Sequence, residues 1–427
     1  MKFAFITPRY GAEIGGGPEH ACRLLAEQVS ERHDVDVLTT CARDPLTWKN
    51  DYPEGSDRMR GVLVRRFAVS QAHDEASFRQ LSERLTDPTH GRADELEWVR
   101  RLGPTSSGLI DHLKRQHRGY DALLFFSLYH PTTVQGLSVA PERSIVFPHL
   151  RLDRALRFGL WPDLLRSARA IGYLSAAERK LAQEYLQVRD VADEVVGVGI
   201  DAPPQQTYPR HQQDPADSPS ADEEEMSGAA AEEETSYLSG RGIPFRRRHR
   251  LYGAFALYGG RIEPDNGCEE MLEYFDTYAA AESRGDGDTS LVLMGVKMMK
   301  VPDEPYIRMA GVLPDRERMV AYEAADVTLA PASDDLLSVS LLESLAVGTP
   351  VLASARNEAA VEHCRRAGAG LYYANRHEFA DALRLLMTNT RLREKLGENG
   401  RQYIRQHHRW DAVMGRFERL TMRVRKS

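Results

Sequence analysis

Cysteine is scarce and scattered in this sequence. Cys22, Cys41, Cys268 and Cys364 form no CxxC pair, which removes the usual zinc and dithiol spacings and leaves free, buried thiols in a reducing compartment as the expectation. Long apolar runs are missing as well: none nears the ~18 residues that span a bilayer. The opening MKFAFITPRYG is too short an apolar stretch for a secretory leader. There is no basic excess. The net charge is −7, which argues against a general nucleic-acid binder. No short repeat and no cluster of metal ligands is visible. These absences point to a cytoplasmic protein without a nucleic-acid partner and without stable membrane insertion.

What is present is ordinary globular material. Hydrophobic residues make up 42% of the 427 positions and charged ones 28%, enough for two or three packed cores. KFAFITP reads as a strand, GAEIGGGPEH as a glycine loop, ACRLLAEQVSERH as a helix and DVDVLTT as a second strand. YDALLFFSL and RSIVFPH read as buried strands. SAAERKLAQEYL reads as a helix opened by a capping box from Ser175 to Glu178, and DEVVGVGID as a strand leaving the first half. The alternation resumes with LYGAFALYGGRIEP, then GCEEMLEYFDTYAAA, SLVLMG, a helix around RERMVAYEAA, DVTLAPA, PVLASA and a helix around EAAVEHCRRAG. Strands alternating with helices twice over predict two α/β domains with mostly parallel sheets, and a ligand cleft beyond the strands' carboxyl ends.

Between the halves the composition changes. Residues 203–240 carry Pro, Gln, Ser and acidic runs, which offer too little apolar surface to offset ordering. The basic run Arg246–Arg250 follows, either a solvated charge run or a polyanion patch. The expected division is therefore a first domain over 1–200, a disordered charged linker over 203–250, a second domain over 251–400, and a C-terminal helix over 401–427 packing back toward the first. The HHRW run at 407–410 is expected on a helix crossing between domains rather than at a metal.

One stretch carries more chemistry than the rest. SDDLLSVSLLESLAVGTPVLAS, residues 333–354, sets Asp335 and Glu343 eight positions apart. The first falls in a loop after a strand and the second in the opening turns of a helix that Ser338 or Ser340 can cap. Gly348 stands where a left-handed residue ends a helix. A helix N-terminus suits phosphate. An ionised carboxylate accepts hydrogen bonds from a vicinal diol such as a ribose. On spacing alone a surface helix with incidental acids stays open.

The same stretch resembles the E-x7-E signature of retaining, family 4-type glycosyltransferases with the GT-B fold: two Rossmann-like α/β domains facing across a cleft. YGGRIEPDNGCEEMLEYF is similar to that family's Gly-Arg…Lys-Gly element, RYGAEIGGGPEHACRLLAEQVSERHDVDVLTT to its glycine loop and first helix, and NEAAVEHCRRAGAGLYY to the segment after the signature. The resemblance implies transfer of a sugar from a nucleotide-sugar donor, UDP-linked in preference to GDP-linked, with the donor held by the second domain and the acceptor by the first. It implies retention at the anomeric carbon, no metal and no separate cofactor. Glu343 would hold the ribose hydroxyls, Asp335 the sugar, and Arg261 the departing diphosphate. Gly15, Gly16 and Gly17 would open backbone N–H groups to phosphate or acceptor, and His149 would lie near the transferring carbon. Ser338 and Val339 would add backbone contacts at the helix start. The acceptor, a small molecule or a glycan, stays unidentified, and a homodimer is compatible with the sequence.

Three positions depart from the family pattern. Asn266 stands where relatives carry a Lys, Asp335 where they carry a Glu, and the histidine segment reads PHLRLD without an Asp directly after His149. A missing phosphate cation weakens charge-assisted bonding by about 1–3 kcal/mol. Lys297 or Arg308 would be the substitute. Two other outcomes stay open on the same fold: a non-catalytic nucleotide-sugar binder, and an enzyme with other nucleotide-sugar chemistry.

Overall fold

The structure is a computed structural model describing residues 1–14, 17–71, 73–86, 89–201, 242–282, 289–333 and 336–425. It contains two sheets. The first has eight strands: β1 Lys2–Ile6, β2 Asp34–Thr40, β3 Gly55–Met59, β4 Val62–Phe67, β5 Ala122–Phe126, β6 Ser144–Phe147, β7 Ala170–Tyr173 and β8 Asp193–Val195. Their spatial order is β3-β4-β2-β1-β5-β6-β7-β8, all parallel except the β3–β4 hairpin. The second has six parallel strands: β9 Phe255–Gly259, β10 Ser290–Met294, β11 Ile307–Gly311, β12 Val327–Ala330, β13 Val351–Ser354 and β14 Gly370–Tyr373, in the order β11-β10-β9-β12-β13-β14. This is the expected GT-B architecture, two Rossmann-like units with a cleft between them.

Helices cover both faces of a parallel sheet, so its central strands read as continuous apolar runs. Strand β5, ALLFF, is buried at every position. Rings from adjacent strands stack, Phe5 on Phe126 at 5.7 Å and Phe126 on Phe147 at 4.6 Å. Against that layer lies the Trp410–Arg425 helix, whose Phe417 ring sits 5.5 Å from Phe3 and 6.4 Å from Phe5. The last helix of the chain thus packs on the first sheet, and the crossover joins it where Ile200 N–H donates to His408 O at 2.8 Å.

Some elements differ from the sequence reading. The hairpin strand β3, GSDRM, is almost wholly exposed and shows no apolar alternation. The edge strand β11 is likewise half-buried at best. The expected linker ran to residue 250, but Gly242–His249 is a helix packed on the second unit. Arg246 is the reason. Its guanidinium pairs with Asp326 at 2.9 Å, donates to the Ala324 and Gly253 carbonyls, and lies 4.7 Å from the Phe255 ring. That arginine is therefore a clamp rather than part of a solvated run or a polyanion patch. Residues 202–241 of that stretch lie outside the described ones. At the other predicted cap, Ser175 accepts from Glu178 N–H at 3.0 Å. The Glu178 carboxylate instead accepts from Leu174 and Leu150 N–H at 2.8 and 3.0 Å, tying down the turn after β6. Among the described residues, no helix is long and apolar enough to cross a membrane.

Candidate active site

The loops leaving β9, β10 and β12 gather at one edge of the second sheet and face the start of the Gly17–Ser30 helix of the first unit. Between them lies a cleft of about 230 Å³. Gly267 closes the loop after β9 onto the loop after β12. It has φ 66°, and a Cβ there would lie 2.3 Å from Ala332 O, so only glycine fits. Beside it Ser333 Oγ donates to Asn266 Oδ1 at 3.2 Å.

The Val339–Val347 helix enters the cleft end-on, with Ser338, Val339 and Ser340 in the wall. Ser338 holds the N-cap position but its side chain makes no capping bond, contrary to the expected serine cap. The first N–H groups of the helix are therefore not engaged by that side chain. Leu341, Leu342 and Leu345 point into the core. Gly348 terminates the helix at φ 88°.

Glu343 is only 5% exposed and lines the cleft. It is not alone there. Arg318 Nη2 donates to its Oε1 at 2.5 Å and Arg318 Nε to its Oε2 at 2.9 Å, a two-pronged pair. Burial lifts the Glu343 carboxyl above its ordinary range, and the Arg318 guanidinium pulls it back only in part. Burial works against the Arg318 charge too, but its bond to Glu343 prevails and raises it. The same guanidinium donates to Asp315 at 3.1 Å, and Asp315 accepts across the cleft mouth from Arg23 and Arg60 of the first unit, each at 3.3 Å. A ladder of alternating charge thus runs from Glu343 to the opposite wall. His20 faces the same space. Its Nε2 is buried without a hydrogen-bond partner, and burial with the positive charges of Arg318 and Arg23 pushes the ring down to about 3, so it is neutral.

Arg261 lines the cleft, with its side chain 39% exposed and its Nη2 held by Glu263 at 3.0 Å. Asn266 also lines it, but its amide hydrogens are committed to the loop, donating to Arg261 O and Glu263 Oε1 at 3.0 Å each. Gly17 is in the wall; Gly15, Gly16 and Asp335 lie outside the described residues. Lys297 does not join the site. Its backbone bridges to Ile262 and its side chain is exposed, while Met294, Gly295 and Val296 before it line the cleft. Arg308 donates to the Ile307 carbonyl of its own edge strand at 3.1 Å, and it too is outside the cleft wall. His149 follows β6 with φ 50° and is 8% exposed; it is not in the cleft wall. Its segment nevertheless faces the loop after β9, because Arg151 reaches Asp265 at 3.8 Å. Among the described residues, no three of His, Cys, Asp or Glu are grouped to hold a metal.

Sequence reading missed Arg318 and His20. The signal for Arg318 was present: it lies four positions before the buried Tyr322 and three before Ala321, so a charge stands on a core-facing stripe.

Residues 244–403 match the family model for glycosyl transferases group 1. That match spans the second unit, including Arg261, Arg318 and Glu343. Solved structures resemble the whole chain. Sucrose-phosphate synthase from Thermosynechococcus elongatus superposes with TM-score 0.66 at 16% identity, covering 98% of each chain. Anabaena HepE in complex with UDP-glucose does so with TM-score 0.65 at 13% identity, over 99% of this chain and 100% of the other. WaaG, a glycosyltransferase involved in lipopolysaccharide biosynthesis, gives 0.60 at 16% identity over 98% and 99%. At these identities the likeness is one of fold.

Proposed function

We propose that the protein is a glycosyltransferase that takes a sugar from a nucleotide donor, UDP-linked in preference to GDP-linked, and passes it to an acceptor hydroxyl with retention and without a bound metal. The observation that carries this reading is the joint placement of Glu343 and Arg261 on one cleft, with the open end of the Val339–Val347 helix between the two units. The match to glycosyl transferases group 1 and a fold shared with a UDP-glucose complex support it.

In this reading Glu343 receives the ribose hydroxyls. Arg318 occupies one lone pair on each carboxylate oxygen and leaves a second on each for the diol. Arg318 is then a positioning residue that fixes the carboxylate and favours its ionised form against the effect of burial. Arg261, oriented by Glu263, meets the diphosphate together with the helix N–H groups. Asp335 takes sugar hydroxyls, and Gly15–Gly17 allow close approach of backbone to the donor. The resemblance would also bring His149 near the transferring carbon, although it lies outside the cleft wall. As the acceptor oxygen bonds to the anomeric carbon, the bond to the diphosphate breaks, negative charge grows on the leaving group, and the hydroxyl proton passes to the departing diphosphate. Preorganised cationic and N–H donors there stabilise that charge.

One observation favours a second reading, a nucleotide-sugar binder without turnover. No lysine lines the described cleft, and Asn266, at the position expected for one, has no free amide hydrogen. Incubation with a panel of UDP- and GDP-sugars, followed by mass spectrometry, separates the two. Release of nucleoside diphosphate with transfer or hydrolysis supports the enzyme; saturable binding with an intact donor panel supports the binder.

A further inference from the structure

A second cavity, of about 610 Å³, opens where the chain crosses between the units. Its walls are the Leu174–Arg179 and Asp193–Gly197 segments of the first unit, the Glu358–Ala367 helix of the second, the end of Thr390–His407 and the face of Trp410–Arg425. It shares no lining residue with the cleft.

Its charge is unbalanced. Asp193 and Glu194 are the acids in the wall, and both are engaged by other arginines. Arg179 takes Asp193 through two bonds of 2.9 Å, and Arg419 and Arg423 take Glu194 at 2.9 and 3.6 Å. Arg416 is left with two backbone carbonyls, Val196 O at 2.8 Å and His407 O at 2.9 Å. Among the described residues, Arg366 pairs with one acid, Glu362, outside the wall, at 3.3 Å, and lies 5.7 Å from the Tyr403 ring. Arg366 and Arg416 both stand in the cavity wall with Tyr403, His407 and His408, so two like charges face one space. Burial, and after it the adjacent Arg419, hold the Arg416 guanidinium below its ordinary value, although Glu194 opposes the shift. The rear wall offers no acid. It is made of His363 and His408, both bonded to Tyr403 Oη, at 3.0 and 3.4 Å.

Two guanidinium groups in one cavity wall, with a surplus of positive charge, suit a phosphate group better than any neutral ligand. We propose that this hinge cavity binds a phosphate-bearing small anion between Arg366 and Arg416, with the exposed His407 ring as a further donor. Because its walls come from both units and from the crossover, an occupant ties the two units together. The inference does not depend on the cleft binding a nucleotide.

The test is calorimetric titration of the full chain with inorganic phosphate and with inorganic diphosphate. Beyond any diphosphate binding that the cleft adds through Arg261, one saturable site per chain is expected. It should weaken about tenfold or more in Arg366→Gln and in His407→Ala, and remain in Arg261→Gln, which alters only the cleft. Arg366→Gln and His407→Ala change exposed side chains, so their melting temperatures should stay near that of the wild type; Arg416→Gln removes two bonds that hold the crossover and is not used. Absence of saturation up to ~10 mM ligand overturns the proposal. So does unchanged affinity in both hinge variants, or loss of the site in Arg261→Gln, which would assign the anion to the cleft.

Discussion

Glu343→Gln tests the ribose contact most sharply. The substitution keeps shape and one acceptor oxygen but removes the charge. Bonds to a charged acceptor contribute about 1.5–3 kcal/mol and neutral ones about 0.5–1.5, so two ribose hydroxyls should lose roughly 2–3 kcal/mol of binding together. That corresponds to UDP affinity weaker by about 30- to 150-fold. Folding also suffers, because Arg318 loses the charge and one of the two acceptor oxygens it holds. It keeps Asp315 at 3.1 Å, so the cost should fall at or below the low end of the ~3–5 kcal/mol seen when a buried pair is broken. The decisive assay is a cycle of calorimetric titrations, wild type and variant, against UDP and 2′,3′-dideoxy-UDP. If the carboxylate holds the diol, the penalty seen with UDP nearly vanishes for the dideoxy ligand. An equal penalty for both ligands would refute the ribose role and leave Glu343 as a structural partner of Arg318.

Arg261→Ala should lower kcat for donor turnover by about 100-fold or more while changing KM little, because its charge is needed as the diphosphate leaves; an unchanged kcat removes it from the leaving-group site. Phe417→Ala should destabilise the protein by about 3–5 kcal/mol in urea denaturation, since the ring is fully buried against Phe3 and Phe5; a loss below about 1 kcal/mol would show that the last helix is not anchored there. Stability should fall as pH drops from 7 to 5. Burial holds His20 and His363 down to about 3 and His408 to about 4, so the unfolded chain takes up protons near its ordinary value of about 6.5 while the folded one does not. Each histidine contributes up to roughly 2 kcal/mol that is present above that value and lost on acidification; a stability profile flat between pH 7 and 5 contradicts the assignment.

The sequence showed most clearly what periodicity and breakers record. Strands such as ALLFF and the GTPV turn after Glu343 follow from burial on both faces and from a left-handed glycine. The two-unit architecture followed from that alternation, whereas a shared site for Arg261 and Glu343 was implied only by the family resemblance. What remained hidden depends on distant partners. The β3 strand is polar because it is an edge held by β4 alone. Arg246 looked like part of a solvated run because Asp326, its partner, lies 80 positions away. Arg318 was overlooked because its pairing with Glu343 joins two helices whose relative placement no local pattern encodes. Asn266 was legible as a missing lysine, but not as the clamp that fixes the Arg261 carbonyl.

The central claim is that a nucleoside diphosphate lodges between the two units with its ribose at Glu343 and its phosphates at Arg261. A crystal structure of the protein soaked with UDP tests it directly. The account predicts ligand density in the cleft, ribose hydroxyls within hydrogen-bond distance of the Glu343 carboxylate and phosphate oxygens at the Arg261 guanidinium. UDP seated elsewhere, or turned so that neither side chain touches it, would contradict it.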